Sequence, residues 1–392
     1  MKKNRLIIKK DSIMVVCMFI MLHDLAFLPD AIEQGIHISL TIFLFIYNAK
    51  HLSVLSPKKP LFWLLLSIAI STAYGFIVSS DHSYTTIVKG LLFLFSIFNV
   101  FELINYQFHR NNEVKMMKVL FRINLIYCLF ALIFLNKVIR ITSVGSNAYL
   151  FGSKFSTSYL FISLTCVFYM AYEKEMKSMI KYKLIFLLFS LLAAYVAYHL
   201  NCQTVVGISV VPLIMGSIRG KVSDKLYNWQ TVMILIAFAT LFPFFMELVL
   251  NIGFVQRLVV NFFDRDLTLS SRMKVYSRYL VPVIKKHIVL GYGYSNNAMR
   301  NYSNYYYNAQ NGLLNYVIQF GVLGGGILVT MVSSSFRSIN DRISNNNWMR
   351  GAVMLLYAMV IAGAVEVSYN WHFFLALALL YAAKAKYTND TI

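Results

Sequence analysis

Apolar runs of roughly 20 residues recur along the chain, broken by short polar and basic stretches, while strict two-residue alternation of apolar and polar positions is missing. Inside lipid only helices or closed barrels satisfy their own backbone, and a barrel would need that alternation, so the runs read as helices. They predict about twelve spans, at residues 12–28, 36–49, 61–78, 85–105, 116–135, 158–172, 184–199, 204–218, 231–251, 309–334, 351–365 and 369–383. Several are short or interrupted. The expected fold class is all-α: one polytopic integral membrane domain over residues 1–392, with a long loop at 252–308 between the ninth and tenth helices. Neither an internal repeat nor a soluble domain is visible.

Composition agrees with the pattern. With 58% hydrophobic and 13% charged residues and a mean hydropathy of +0.62, the chain has more apolar surface than one water-soluble core can hide. The start "MKKNRLIIKK" followed by an apolar run imitates a secretory signal. No small-residue cleavage site follows, so it reads as an uncleaved first helix.

Charge then sets an orientation. Most of the 36 lysines and arginines fall in one alternating set of segments, among them Lys2 to Lys10, Lys58 and Lys59, Arg110 to Arg122, Lys174 to Lys183, Arg337 to Arg350 and Lys384 with Lys386. Such segments stay in the cytoplasm, which places both termini there. The net charge of +20 is mostly this topology and contact with anionic membrane lipids; it does not call for nucleic acid.

The 252–308 loop departs from that rule. On the outer side it carries Arg257, Arg265, Arg272, Lys274, Arg278, Lys285, Lys286 and Arg300, while Arg140 and Lys154 share an earlier outer loop. Long loops translocate regardless of charge, but that does not explain why cations sit there. An anionic ligand would, and arginine forks suit the oxygens of a lipid pyrophosphate. Other chemistry is thin. Asp264, Arg265 and Asp266 spell a short D-x-D run, read as ion pairing rather than a metal site; the eight histidines show no i,i+4 pair; and the four cysteines form no C-x-x-C. Gly291 and Gly293 lie outside any βαβ unit, so they read as a tight turn re-entering toward the membrane, not as a dinucleotide fingerprint. Gly321 and Gly325 read as a small-residue face for close helix packing.

The run "SSRMKVYSRYLVPVIKKHIVLGYGYSNN" followed by "NAQNGLLNYVIQFGVLGGG" resembles the signature of the O-antigen polymerase and ligase superfamily, most closely a polysaccharide repeat-unit polymerase. In that pattern an Arg-x-x-x-aromatic helix leads to a G-x-G turn and then to an H-N-x-x-L…G-x-x-G helix start. Here the matches are Arg272 with Tyr276, Gly291 with Gly293, Asn311, Leu314, Gly321 and Gly324, over about 55 residues. Two positions depart from the pattern. Gln310 stands where a histidine is common, and Gln203 in "NCQTVVG" stands where a basic residue is usual.

The resemblance implies an enzyme at the outer face of a bacterial cytoplasmic membrane that joins undecaprenyl pyrophosphate-linked oligosaccharides. It implies neither nucleotide sugar, cofactor nor metal, and as partners a lipid-linked glycan donor and acceptor, a chain-length regulator and a flippase. A glycosyl pyrophosphate already carries a good leaving group. The protein must therefore stabilise charge on the departing phosphate and align an acceptor hydroxyl. Arg272 is the first candidate for that charge, with Gln310 to orient a hydroxyl and Glu366, near the outer end of the eleventh span, to accept a proton. Arg278, Arg140 and Lys154 are candidate pyrophosphate ligands. Tyr276, Asn308, Asn311 and Tyr305 are candidate glycan contacts. Three alternatives stand beside this reading: a ligase of the same superfamily moving finished polymer onto lipid A core, a flippase or other transporter using mid-span charges such as Asp24, Glu102 and Glu247, and a non-enzymatic scaffold.

Overall fold

The structure is a computed structural model that describes residues 2–52, 55–78, 84–141, 147–218, 221–250, 252–257, 260–261, 275–304, 306–339, 343 and 347–389. Arg272, Lys274, Tyr305 and the Asp264 to Asp266 run lie outside the described residues, as does the side chain of Glu247.

Helices dominate. In the first third of the chain they are α1 (Lys2–Leu22), α2 (Asp30–Asn48), α3 (Pro60–Val78), α4 (Tyr84–His109) and α5 (Glu113–Ile133). A small antiparallel sheet follows, β1 (Arg140–Ile141), β2 (Asn147–Tyr149) and β3 (Gly152–Ser153), in the order β1-β2-β3. Then come α6 (Lys154–Ala171), α7 (Glu173–Ser178), α8 (Ile180–His199), α9 (Gln203–Ile208), α10 (Val210–Ser217), α11 (Lys221–Leu226) and α12 (Trp229–Leu250). The 252–308 stretch holds α13 (Gly253–Arg257), a π-helical turn (Val275–Leu280), α14 (Val281–Lys286) and α15 (Ala298–Ser303). The chain ends in α16 (Gly312–Arg337), α17 (Asn347–Ala362) and α18 (Trp371–Asn389).

Five of these helices, α3, α5, α8, α16 and residues 86–109 of α4, are long and apolar enough to cross a membrane, and shorter apolar helices lie at 203–217, 229–245 and 348–362. The all-α membrane character therefore stands, with the β1–β3 sheet as a small addition. Span ends moved for local reasons. The first helix stops at Leu22, before His23 and Asp24, so Asp24 lies in a loop and not mid-span. The eighth span is two short helices meeting at Ser209.

The centre is built from α4, α6, α17 and α18. Residues 157–171 of α6 are all buried, as are nearly all of α17 and the first two-thirds of α18. α18 packs on α4 and α17, α6 on α5, α8 and α17, and α16 on α3. Helices apolar all round belong in such positions, since no face has to meet water.

α16 is not continuous. Gly321 has φ 69° and ψ 178° in the middle of it, a backbone region open essentially to glycine alone. The break leaves carbonyl and amide groups unpaired at a depth where water is scarce, and the turn at 287–293 supplies the partners. The amide of Tyr292 donates to Ile318 O (2.9 Å) and that of Gly293 to Gln319 O (2.8 Å), while Val322 N donates to Ile288 O (2.8 Å). The approach is close on every side. A Cβ at Gly321 would stand 1.9 Å from Val289 O, and one at Gly75 of α3 would stand 2.1 Å from Tyr292 O. The G-x-G turn does re-enter the bundle, but Gly321 serves as the socket for it instead of as a helix-packing face.

Gly321→Ala should therefore cost about 2 kcal/mol or more, from backbone strain and collision together. Thermal unfolding of the detergent-purified protein should show a clear drop in midpoint. Gly326→Ala, where an added Cβ meets nothing within 4 Å, should leave the midpoint unchanged or slightly raised.

Candidate functional site

At the end of the bundle where α6 and α16 begin and α17 ends, a cavity of about 1020 Å³ is lined from five directions. β3 and the start of α6 supply Ser153, Lys154 and Ser156; the α8–α9 junction supplies Asn201, Cys202 and Gln203; α12 supplies Phe238 and Phe242. Asn308 and Gln310 enter from the approach to α16, and Glu366 with Asn370 from the loop between α17 and α18. Polar groups meet here beside apolar walls, which is the usual make-up of a ligand site.

Lys154 stands at the first position of α6, capped by Ser153, whose side chain accepts from Ser156 N (3.2 Å). Its ammonium donates to Asn201 O (3.2 Å) and lies 5.4 Å from the centre of the Phe155 ring. One backbone acceptor leaves donors to spare on a group that has three. Glu366 is only 6% exposed, held by its own amide donating to Ala362 O (2.9 Å). Cys202 reports both charges. Burial pushes its thiol up to about 12, the Glu366 carboxylate adds to the rise, and Lys154 opposes it. A cation and a carboxylate thus face one polar space.

Gln310 is held by its neighbours. Its φ of 52° is left-handed, and Asn308 Oδ1 accepts from both its backbone N (3.0 Å) and its side-chain Nε2 (2.9 Å). That is an Asx turn, which stabilises such a bend. The Tyr276 hydroxyl donates to Gln310 O (2.6 Å) from below. The carbonyl end of the Gln310 amide has no partner among the described residues and remains able to accept from a hydroxyl.

Of the residues expected from sequence, the structure brings Lys154, Asn308, Gln310 and Glu366 together. It puts others elsewhere. Asn311 is fully buried: its Oδ1 caps α16 at Leu314 N (3.0 Å) and its Nδ2 donates to Ala239 O (2.9 Å) and Ala364 O (3.3 Å). With every side-chain group engaged, it is a structural clamp and no glycan contact. Tyr276 is 2% exposed and supports Gln310 from within the protein. Arg140 pairs with Asp30 and with Glu33 (2.7 Å), so two carboxylates at the start of α2 already occupy the fork intended for pyrophosphate. Arg278 is exposed, lies 5.8 Å from the Tyr279 ring centre, and is absent from the cavity wall.

Asn201 and Asn370 were not anticipated. Each sits in a loop whose neighbours were singled out, Asn201 beside "CQT" and Asn370 in "EVSYNW". Only the folded arrangement puts the two loops on one space. Among the described residues no group of His, Cys, Asp and Glu is arranged to hold a metal ion.

Asn311→Ala should remove a helix cap and leave two carbonyls short of a donor, at a cost of about 1–3 kcal/mol. Gln310→Ala, which takes atoms from the cavity side, should cost less. Thermal unfolding of the two purified variants checks this ordering; equal midpoints would contradict it. Comparison of the chain with models of protein families, with curated proteins and with solved structures gave no match.

Proposed function

We propose that this protein polymerises undecaprenyl pyrophosphate-linked oligosaccharide repeat units at the outer face of a bacterial cytoplasmic membrane, as a metal-independent glycosyltransferase with about twelve spans and both termini inside. The observation that carries the reading is the joint placement of Lys154, Gln310 and Glu366 on one cavity of about 1020 Å³ at the end of an apolar bundle. The motif resemblance around Arg272 and Gly291 supports it from the sequence side.

The chemistry needs few groups. The acceptor hydroxyl oxygen bonds to the anomeric carbon of the donor glycan as the bond from that carbon to the pyrophosphate oxygen breaks. The hydroxyl proton passes to the Glu366 carboxylate, and the electron pair of the broken bond leaves on the pyrophosphate. Lys154, joined by Arg272 from the basic loop, stabilises that growing negative charge, an interaction stronger in the transition state than in the ground state. Gln310, fixed by Asn308 and Tyr276, accepts a hydrogen bond from a sugar hydroxyl and orients it. Proton transfer of this kind contributes roughly 10²- to 10⁴-fold.

Lys154→Ala and Arg272→Ala should each reduce polymer by roughly 10²-fold or more in cells with unchanged protein levels. Glu366→Gln should do so to a similar or larger degree. Gels of the extracted glycan provide the readout. Ladders like those of the wild type in all three variants would defeat the proposal, and accumulation of single, unpolymerised repeat units is the expected result.

A further inference from the structure

A second cavity, of about 170 Å³, adjoins the first; the two share Val367 and Asn370 in their walls. Half of the residues lining it are aromatic. Tyr294, from the G-x-G turn, stacks on Phe93 of α4 with ring centres 4.2 Å apart and planes 13° from parallel, and Trp371 stands 5.4 Å from the same Phe93. Tyr369 lies flat on Phe373 at 4.3 Å. Gly312 makes room for it, because a Cβ there would reach within 2.6 Å of the Tyr369 ring.

The polar groups in this cavity are neutral and only partly used. Asn315 accepts from Ala309 N (3.2 Å) and Asn370 accepts from His372 N (3.0 Å) through their oxygens, and neither side-chain NH2 has an acceptor among the described residues. The Gln319 side-chain amide has no partner among the described residues. Tyr316 is 3% exposed, and its hydroxyl is buried without a hydrogen-bond partner among them. Leaving a buried hydroxyl unpaired costs about 1–3 kcal/mol, so such a group in a folded protein calls for an explanation. A bound molecule carrying hydroxyls supplies one.

We propose that this cavity is a subsite for one uncharged pyranose of the glycan whose pyrophosphate end occupies the larger cavity; this rests on the reading given under Proposed function. Flat rings take the apolar face of a sugar, and amides with a phenol take its hydroxyls. The volume, about 170 Å³, is of the order of a single sugar ring. No carboxylate, amine or guanidinium lines it, so a charged sugar would be buried without a counter-ion.

The test uses the full-length protein in detergent and follows tryptophan fluorescence on titration with methyl glycosides of glucose, galactose, N-acetylglucosamine, rhamnose and glucuronic acid. At least one neutral glycoside should bind in the millimolar range, with glucuronate at least 10-fold weaker, and Trp371→Phe should remove most of the signal. Tyr316→Phe should weaken binding roughly 3- to 10-fold while leaving the unliganded thermal midpoint equal or higher, since it deletes an unpaired hydroxyl. A purely structural Tyr316 would lower the midpoint and leave affinity alone. No saturable signal with any neutral glycoside, preference for glucuronate, or a signal that survives Trp371→Phe would each overturn the subsite. Sugar binding without chain growth would keep the subsite and remove the polymerase reading. Chain growth unaffected by Tyr316→Phe and Gln319→Ala would do the reverse.

Discussion

Backbone groups inside an apolar bundle need partners, and the break in α16 is where this protein meets that demand most sharply. A helix interrupted at Gly321 leaves groups that neither lipid nor water can satisfy. The turn at 287–293 fills them, through Tyr292 and Gly293 on one side of the break and Ile288 on the other. Gly75, Gly291, Gly293 and Gly321 are small because main chains approach one another there. Gly291 and Gly293, with φ of 68° and 82°, also need the left-handed backbone that glycine adopts readily.

The consequences run to the cavity. The first part of α16 is set by this junction, and its start is tied to the α17–α18 loop: Gly312 N donates to Gly363 O (2.8 Å), and Asn311 reaches Ala364 O. That holds Gln310 and Glu366 on the wall of one cavity. The same turn carries Tyr294 to Phe93, so one junction shapes both the large polar cavity and the small aromatic one. Lys154 arrives separately, on the end of a helix buried from residue 157 to residue 171, which gives a flexible side chain a rigid base.

Much of the architecture was legible because lipid imposes one strong rule: long apolar runs become helices. The spans at α3, α5 and α8 follow it within a few residues, and the G-x-G turn could be read as re-entrant from its glycines. The break it enters could not, since the pairing joins residues roughly 30 apart and leaves no local signature. Gly321 then looked like a packing glycine. In the site, residue type singled out Lys154, Gln310 and Glu366, and the fold brings them to one cavity. It misjudged Asn311 and Arg140, because a polar side chain looks the same in sequence whether it faces a ligand or has been claimed by a cap or by Asp30 and Glu33. Partners decide that question, and partners are set by the fold.

Under the proposed function, a charged space takes the leaving group with its acceptor and a neutral space takes a sugar ring, so that the chain itself elongates a lipid-linked glycan. The most direct measurement gives purified protein in lipid bilayers a polyprenyl pyrophosphate-linked repeat unit, with a metal chelator present and nucleotide sugars absent, and follows product length. A series of products, each longer by one repeat, is the predicted result; repeat units that stay single while the protein remains folded would contradict it.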